Sequence, residues 1–165
     1  MAPFILPVLI LALVAGCIEV DISVPGFPDM AHYFNVSERV IQLTVAFNFL
    51  GFCLAALVYG PLSDRFGRRQ IMLIGNGLLL LGAAGCVMAP TIEFLLMVRF
   101  IQGIGASASA VVVWAIVADL YSGPKMVQAL AITNSVLTIL MAFAPVVGGF
   151  INIVIGWQGN YAIVA

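Results

Sequence analysis

Five long apolar stretches, at about 4–24, 40–60, 71–89, 94–118 and 126–153, take up most of the sequence. Each is long enough to cross the hydrocarbon core of a bilayer as a helix, which needs about 20 residues. Inside hydrocarbon every backbone N–H and C=O must be satisfied internally, so stretches of this kind fold as helices. Composition points the same way: 64% of the residues are hydrophobic and 8% are charged, against about 25% charged in a soluble domain. A soluble fold of 165 residues could not bury that much apolar surface, and disorder demands low hydrophobicity and high charge. Six Lys plus Arg against seven Asp plus Glu leave no basic footprint for nucleic acid. The expected fold class is therefore an all-α integral membrane protein. A sixth apolar run, 158–165, stops too soon to cross. The chain is expected to hold five complete transmembrane helices and the start of a sixth.

The connections predict the orientation. A loop is expected from Pro25 to about Glu38, a charged turn over Pro61–Gln70, a tight turn at Pro90–Glu93, a loop at Asp119–Lys125 and a turn at Gly156–Asn160. Arg65, Arg68, Arg69 and Lys125 fall on one side, and the opposite loops hold only Arg39. The positive-inside rule makes the first side cytoplasmic, together with the N-terminus. Trp157 then falls at the outer interface, where indole rings are favoured. Val14-Ala15-Gly16-Cys17 resembles a lipoprotein cleavage box, but no Lys or Arg precedes the apolar run, as a signal peptide needs. The first stretch is read as a membrane helix.

Three ionisable residues sit inside the apolar stretches: Glu19, Asp21 and Arg99. Such groups usually face a cavity or a partner. Residues two apart on a helix point about 200° apart, so Glu19 and Asp21 are not expected to face one cavity. Glu19 shares a face with Ala12, Ala15 and Gly16, and Asp21 with Val14, Cys17 and Ile18. Asp21 and Arg99 both lie on the order of 5–8 Å below the same boundary. They are expected to pair or to share a proton-sensitive network. The amides Asn48, Asn76, Gln102 and Asn134 are read as hydrogen-bonding groups between helices. Gly103, Gly105, Ser107 and Ser109 form two small-xxx-small pairs that permit close helix approach. Cys17, Cys53 and Cys86 form no CxxC pair and read as small packing residues. His32 reads as a solvated loop residue. No Ser–His or metal-ligating constellation suggests an enzyme or a metal site.

Four motifs then stand out in order. The turn reads Gly60-Pro61-Leu62-Ser63-Asp64-Arg65-Phe66-Gly67-Arg68-Arg69. The fourth stretch holds Arg99-Phe100-Ile101-Gln102-Gly103-Ile104-Gly105-Ala106. The first ends in Asp21-Ile22-Ser23-Val24-Pro25-Gly26-Phe27-Pro28, and the fifth holds Pro145-Val146-Val147-Gly148-Gly149, with Ala144 where an antiporter motif has a glycine. Together they resemble the major facilitator superfamily, and within it the drug/proton antiporters of the bicyclomycin and chloramphenicol resistance type.

The resemblance implies the N-terminal half of a twelve-helix transporter, with the C-terminal half absent. It implies that Arg68 pairs with Asp119, that Asp64 faces the other half, and that Arg65 and Arg69 complete this conformational charge cluster. It places Asp21, Arg99 and Gln102 at the cavity. Asp21 is the first candidate for proton coupling and Glu19, which lies outside the motif, the second. Gly60, Gly67, Gly103, Gly105, Pro145, Gly148 and Gly149 become helix-packing positions. The implied activity is efflux of a drug or other small molecule by proton antiport across the cytoplasmic membrane. The proton gradient is the energy source, without a cofactor. The implied partners are membrane lipids, the small-molecule substrate and the missing six-helix half. Alternating access needs two halves, so the chain alone is expected to be a fragment that does not transport. Two alternatives remain: a metabolite or sugar exporter of the same superfamily, and a non-transporting membrane interaction protein from a truncated gene.

Overall fold

The computed structural model describes residues 5–164. The helices are α1 (Ile5–Ser23), α2 (Phe27–Phe34), α3 (Glu38–Phe66), α4 (Arg68–Val87), α5 (Ile92–Leu120), α6 (Gly123–Ile155) and α7 (Trp157–Val164), with one 3-10 turn at Val24–Gly26. No strand occurs among the described residues. Among the described residues five helical runs are long and apolar enough to cross a membrane, the first running from Ile5 through α2. The all-α membrane architecture expected from the sequence is present. Phe4 and Ala165, the outer limits of the expected first and sixth stretches, lie outside the described residues.

The connections differ from expectation. The segment read as a loop from Pro25 to Glu38 is mostly helical. Phe27, Met30 and Ala31 are buried and Phe34 packs beside them, an i, i+3, i+4, i+7 apolar face that closes one end of the bundle. Pro28 sits in its first turn, where a missing N–H costs nothing. Asn35, at φ 53°, ends it in the left-handed region. His32 is exposed on this helix rather than in a loop. The charged turn expected over Pro61–Gln70 shrinks to Gly67 alone: α3 runs past Pro61 to Phe66, and α4 starts at Arg68. Gly67 adopts φ +95°, which a glycine reaches without steric cost. Asp119 likewise belongs to the last turn of α5 rather than to a loop.

α5 is the axis of the bundle, packed between α3 and α4 and touching α1. Its sequence explains this. Ala106, Ser107, Ala108 and Ser109 are all fully buried, so the helix has small residues all round and suits the interior. Gly103 lies against the backbone of Asn48 in α3, and Gly105 against the backbone of Leu79 in α4; a Cβ at either would overlap those atoms. In α6, Gly148 meets the backbone of Ile22 in α1, while Gly149 makes only ordinary contact and Pro145 is exposed. Gly60 was expected to pack a helix, but an added Cβ there meets nothing within 4 Å. Trp157 was expected in an interfacial belt. Instead it is buried, with its ring 5.4 Å from Tyr33, 5.6 Å from Phe34 and 6.1 Å from Tyr161. The aromatic face of α2 covers it.

Two glycines therefore respond oppositely to substitution. Gly103→Val is expected to lower stability by about 1–3 kcal/mol through overpacking. Gly60→Ala, with open space and better helix propensity, should leave stability unchanged or raised by up to about 1 kcal/mol. Denaturant unfolding of both variants in detergent checks the pair.

Candidate functional site

At the α2 end of the bundle, α5 turns Arg99 and Gln102 toward α1, and α3 turns Asn48 toward the same point. Arg99 and Gln102 are 0% exposed, and Glu19 and Asn48 are 1% exposed. Asn48 Nδ2 donates to Glu19 Oε1 at 2.8 Å and to the Arg99 carbonyl at 3.3 Å. Arg99 Nη1 donates to Gln102 Oε1 at 3.0 Å, and Nη2 donates to Ser23 Oγ at 3.4 Å. The Cys86 thiol adds a contact to Gln102 Oε1 at 3.4 Å. The Tyr161 ring of α7 lies 5.2 Å from Arg99 Cζ, within cation–π range. Glu19 Oε2 stands 3.9 Å from Arg99 Nη1, too far for a hydrogen bond. It has no other partner, and neither do Arg99 Nε and Gln102 Nε2. The cluster thus joins α1, α3, α4, α5 and α7 around one ion pair that is incompletely satisfied.

Two expectations change here. Arg99 pairs with Glu19, not with Asp21. The reason is angular: the α1 face that carries Glu19 turns toward α5, and Asp21 points away. Asp21 is half-buried and makes no ion pair among the described residues. The two carboxylates were also not expected to share a cavity. Both border one crevice of about 170 Å³ between α1, α3 and α6. Val20 faces it, and Glu19 and Asp21 flank Val20 by about 100° on either side. Sequence reasoning left Asn48 as a generic amide and gave no role to Ser23 or Tyr161. For Asn48 the signal was available: an amide in an apolar run needs a partner. Tyr161 carried no local signal, because its role comes from where α7 packs. Of the other amides, Asn76 accepts from Ser109 Oγ at 2.6 Å, and Asn134 is exposed.

A second charge cluster lies at the opposite end. Arg68, at the start of α4, reaches Asp64 at 2.6 Å on α3 and Asp119 at 3.1 Å on α5. It also donates to Ser63 Oγ at 2.6 Å, a partner not anticipated from the sequence. Asp64 and Asp119 are more than half exposed and Arg68 about a quarter, so these ion pairs contribute little to stability; their geometry ties three helix ends together. Arg65 stacks on Phe66, with Cζ 5.3 Å from the ring centre. Arg69 borders an apolar groove of about 570 Å³ between α1, α4 and α5.

A family model described as Major Facilitator Superfamily matches residues 9–165. The chain is 32% identical, over 84% of its length, to the MFS-type transporter YdgK of Bacillus subtilis, covering 34% of that protein. It is 28% identical to multidrug resistance protein D of Escherichia coli over 95% of the chain, covering 40% of the relative. It is 31% identical to a chloramphenicol resistance protein of Pseudomonas aeruginosa over 86% of the chain, covering 34% of the relative. The chain spans between a third and two fifths of the length of these relatives.

The buried pair sets a stability expectation. Arg99→Ala strands Glu19 and should cost about 3–5 kcal/mol. Replacing both groups by apolar residues of similar volume, Arg99→Met with Glu19→Leu, should recover most of that loss. A double-mutant cycle on unfolding free energy measures it.

Proposed function

The chain belongs to the major facilitator superfamily, and we propose that it forms the first bundle of a proton-coupled exporter of drug-like molecules. Members of this family are transport proteins rather than enzymes, and the chain is a multi-pass membrane protein. Its proposed place is the cytoplasmic membrane, with the N-terminus inside, as the clustering of Arg65, Arg68, Arg69 and Lys125 on one side supports. The relatives named for multidrug and chloramphenicol resistance support a drug-like substrate.

The observation that carries the reading is the buried Glu19–Arg99 pair beside a crevice. A carboxylate with one unpartnered oxygen can take up a proton, and Arg99 can hold it charged when the proton leaves. In the proposed cycle, protonated Glu19 no longer attracts Arg99, which then relies on Gln102, Ser23 and Tyr161. Bound drug and bound proton become alternative occupants of one site, so drug entry accompanies proton loss. That Asp21 borders the same crevice supports a role for it in passing protons to or from Glu19. The revised order of candidates is Glu19 first for the coupling proton and Asp21 second.

The Arg68–Asp64–Asp119 cluster serves as a clasp between helix ends that holds one conformational state. Alternating access needs a second bundle that closes over the site, so transport is proposed for this bundle together with that partner, embedded in lipid.

The proton role is tested on the chain in nanodiscs in weak buffer. Chloramphenicol binding should release on the order of one proton per bound drug, the linkage expected of an exchanging site. Glu19→Gln should release none. Drug binding without proton release overturns the antiport reading. The clasp has its own expectation. Asp119→Asn should change unfolding free energy by no more than about 1 kcal/mol, yet abolish most drug efflux by the complete carrier in a susceptibility assay.

A further inference from the structure

We propose that Cys86 is a positioning residue for the coupling proton: its thiol, on α4, fixes the amide of Gln102 and so keeps the free oxygen of Glu19 open. This rests on the reading above, in which Glu19 takes up the proton, and extends it to a helix that brings no charge to the site. Gln102 is fully buried, and α4 holds it at two points. An added Cβ at Gly82 would overlap Gln102 Cβ at 2.6 Å, so the stem of the side chain lies against the backbone of α4. One turn on, the Cys86 thiol, itself fully buried, donates to Gln102 Oε1 at 3.4 Å.

An amide oxygen has two lone pairs. Arg99 Nη1 takes one, at 3.0 Å, and Cys86 takes the other. With the oxygen pinned, the plane of the amide fixes where Nε2 points. Gln102 Nε2 is then a buried donor without a partner, and Glu19 Oε2 is a buried acceptor without a partner. Yet the two side chains converge on one atom, since Arg99 Nη1 stands 3.0 Å from Gln102 Oε1 and 3.9 Å from Glu19 Oε2. A hydrogen bond from Nε2 to Oε2 would satisfy both. The thiol prevents the turn of the amide that would form it. Oε1 of Glu19 is committed to Asn48, so Oε2 stays available to a proton.

Removing the thiol frees the amide. Nε2 then donates to Glu19 Oε2, and a carboxylate that gains a hydrogen bond gives up its proton more readily. The other ionisable groups around Glu19 are unchanged by this: Arg99 of α5, Tyr161 of α7, and Cys17 and Asp21 of α1. α3 and α6 present Asn48, Phe49, Phe52 and Met141, none of which titrates. The effect therefore belongs to the amide. A role in packing alone predicts something else. Serine and alanine are both smaller than cysteine, so a cavity would affect them alike, but only serine keeps a donor.

The test is infrared titration of the chain in phosphatidylcholine nanodiscs. The C=O band of protonated Glu19 is identified by its loss in Glu19→Gln. At the pH where half of the unaltered protein's Glu19 carries a proton, Cys86→Ser should stay near half. Cys86→Ala should fall to roughly a tenth, the change expected of one further hydrogen bond to the carboxylate. The S–H stretch is read with Cys17→Ala and Cys53→Ala, which leave Cys86 as the remaining thiol. It should lie at the frequency of a bonded thiol and return to that of a free one in Gln102→Asn, whose carbonyl is one methylene short. Unchanged titration in Cys86→Ala, equal shifts in the alanine and serine variants, or a free-thiol frequency with Gln102 in place overturns the proposal. A chain that shows no protonated Glu19 band at any pH overturns the proton role of Glu19. The S–H stretch then decides the tie between Cys86 and Gln102 by itself, a bonded frequency upholding it and a free one overturning it.

Discussion

A guanidinium with no exposure to solvent, Arg99, is the constraint on which the rest of this bundle depends. An arginine cannot shed its charge, and its desolvation costs several kcal/mol unless partners surround it. Every helix near it contributes one. α1 supplies Glu19 and Ser23, α5 supplies Gln102 from the next turn, and α7 supplies the ring of Tyr161. α3 acts at one remove, with Asn48 bridging Glu19 and the Arg99 carbonyl. To bring these groups within 3.0–5.2 Å of the guanidinium the backbones must approach closely. That explains why Gly103, one residue beyond Gln102, lies against the backbone of Asn48. The small residues of α5 and its buried charge are two sides of one requirement.

The membrane class, the number of long helices and the family were legible because each rests on a local property. Apolar length marks a span, and the motifs are contiguous. The site was legible only in its members. Glu19, Asp21, Arg99 and Gln102 could all be named from apolar context, but their pairing could not. Helical phase says that Glu19 and Asp21 diverge; it does not say which of them faces α5, since that depends on how α1 is rotated in the bundle. Helical phase also misled about the crevice, because a concave space facing Val20 is bordered by residues on both flanks. The helix read as a loop after Pro25 shows a further limit. Two prolines and a glycine suggested irregular chain, while the Phe27, Met30, Ala31, Phe34 spacing carried the helix.

The two charge clusters differ in kind. The Glu19–Arg99 pair is buried, so its energy changes sharply when one charge is neutralised. The Arg68–Asp64–Asp119 cluster is wet, so its members can separate at small cost. A switch needs both properties: one site where a small chemical change has a large effect, and one contact that opens without unfolding the protein. α5 carries a member of each, Arg99 and Asp119, twenty positions apart and so about 30 Å along a helix.

Packing shows where a change at Glu19 would be felt. α3, α4 and α5 form one closely packed slab, sealed by backbone contacts at Gly103 and Gly105. α1 and α6 pack on each other, with Gly148 against Ile22, and α6 touches α5 only lightly. The seam between slab and pair is crossed chiefly by α1, through Gly16 against Ala106 and through the Glu19–Arg99 pair, with α6 adding a light contact to α5 and α7 touching both sides. The slab has no room to shift, since its contacts are backbone on backbone. In the proposed cycle, neutralising Glu19 weakens the ion pair across that seam, and the crevice that borders Glu19 also reaches Met141 of α6. The space a ligand would fill and the seam a proton would loosen are thus the same place, and coupling between them needs no longer path through the protein.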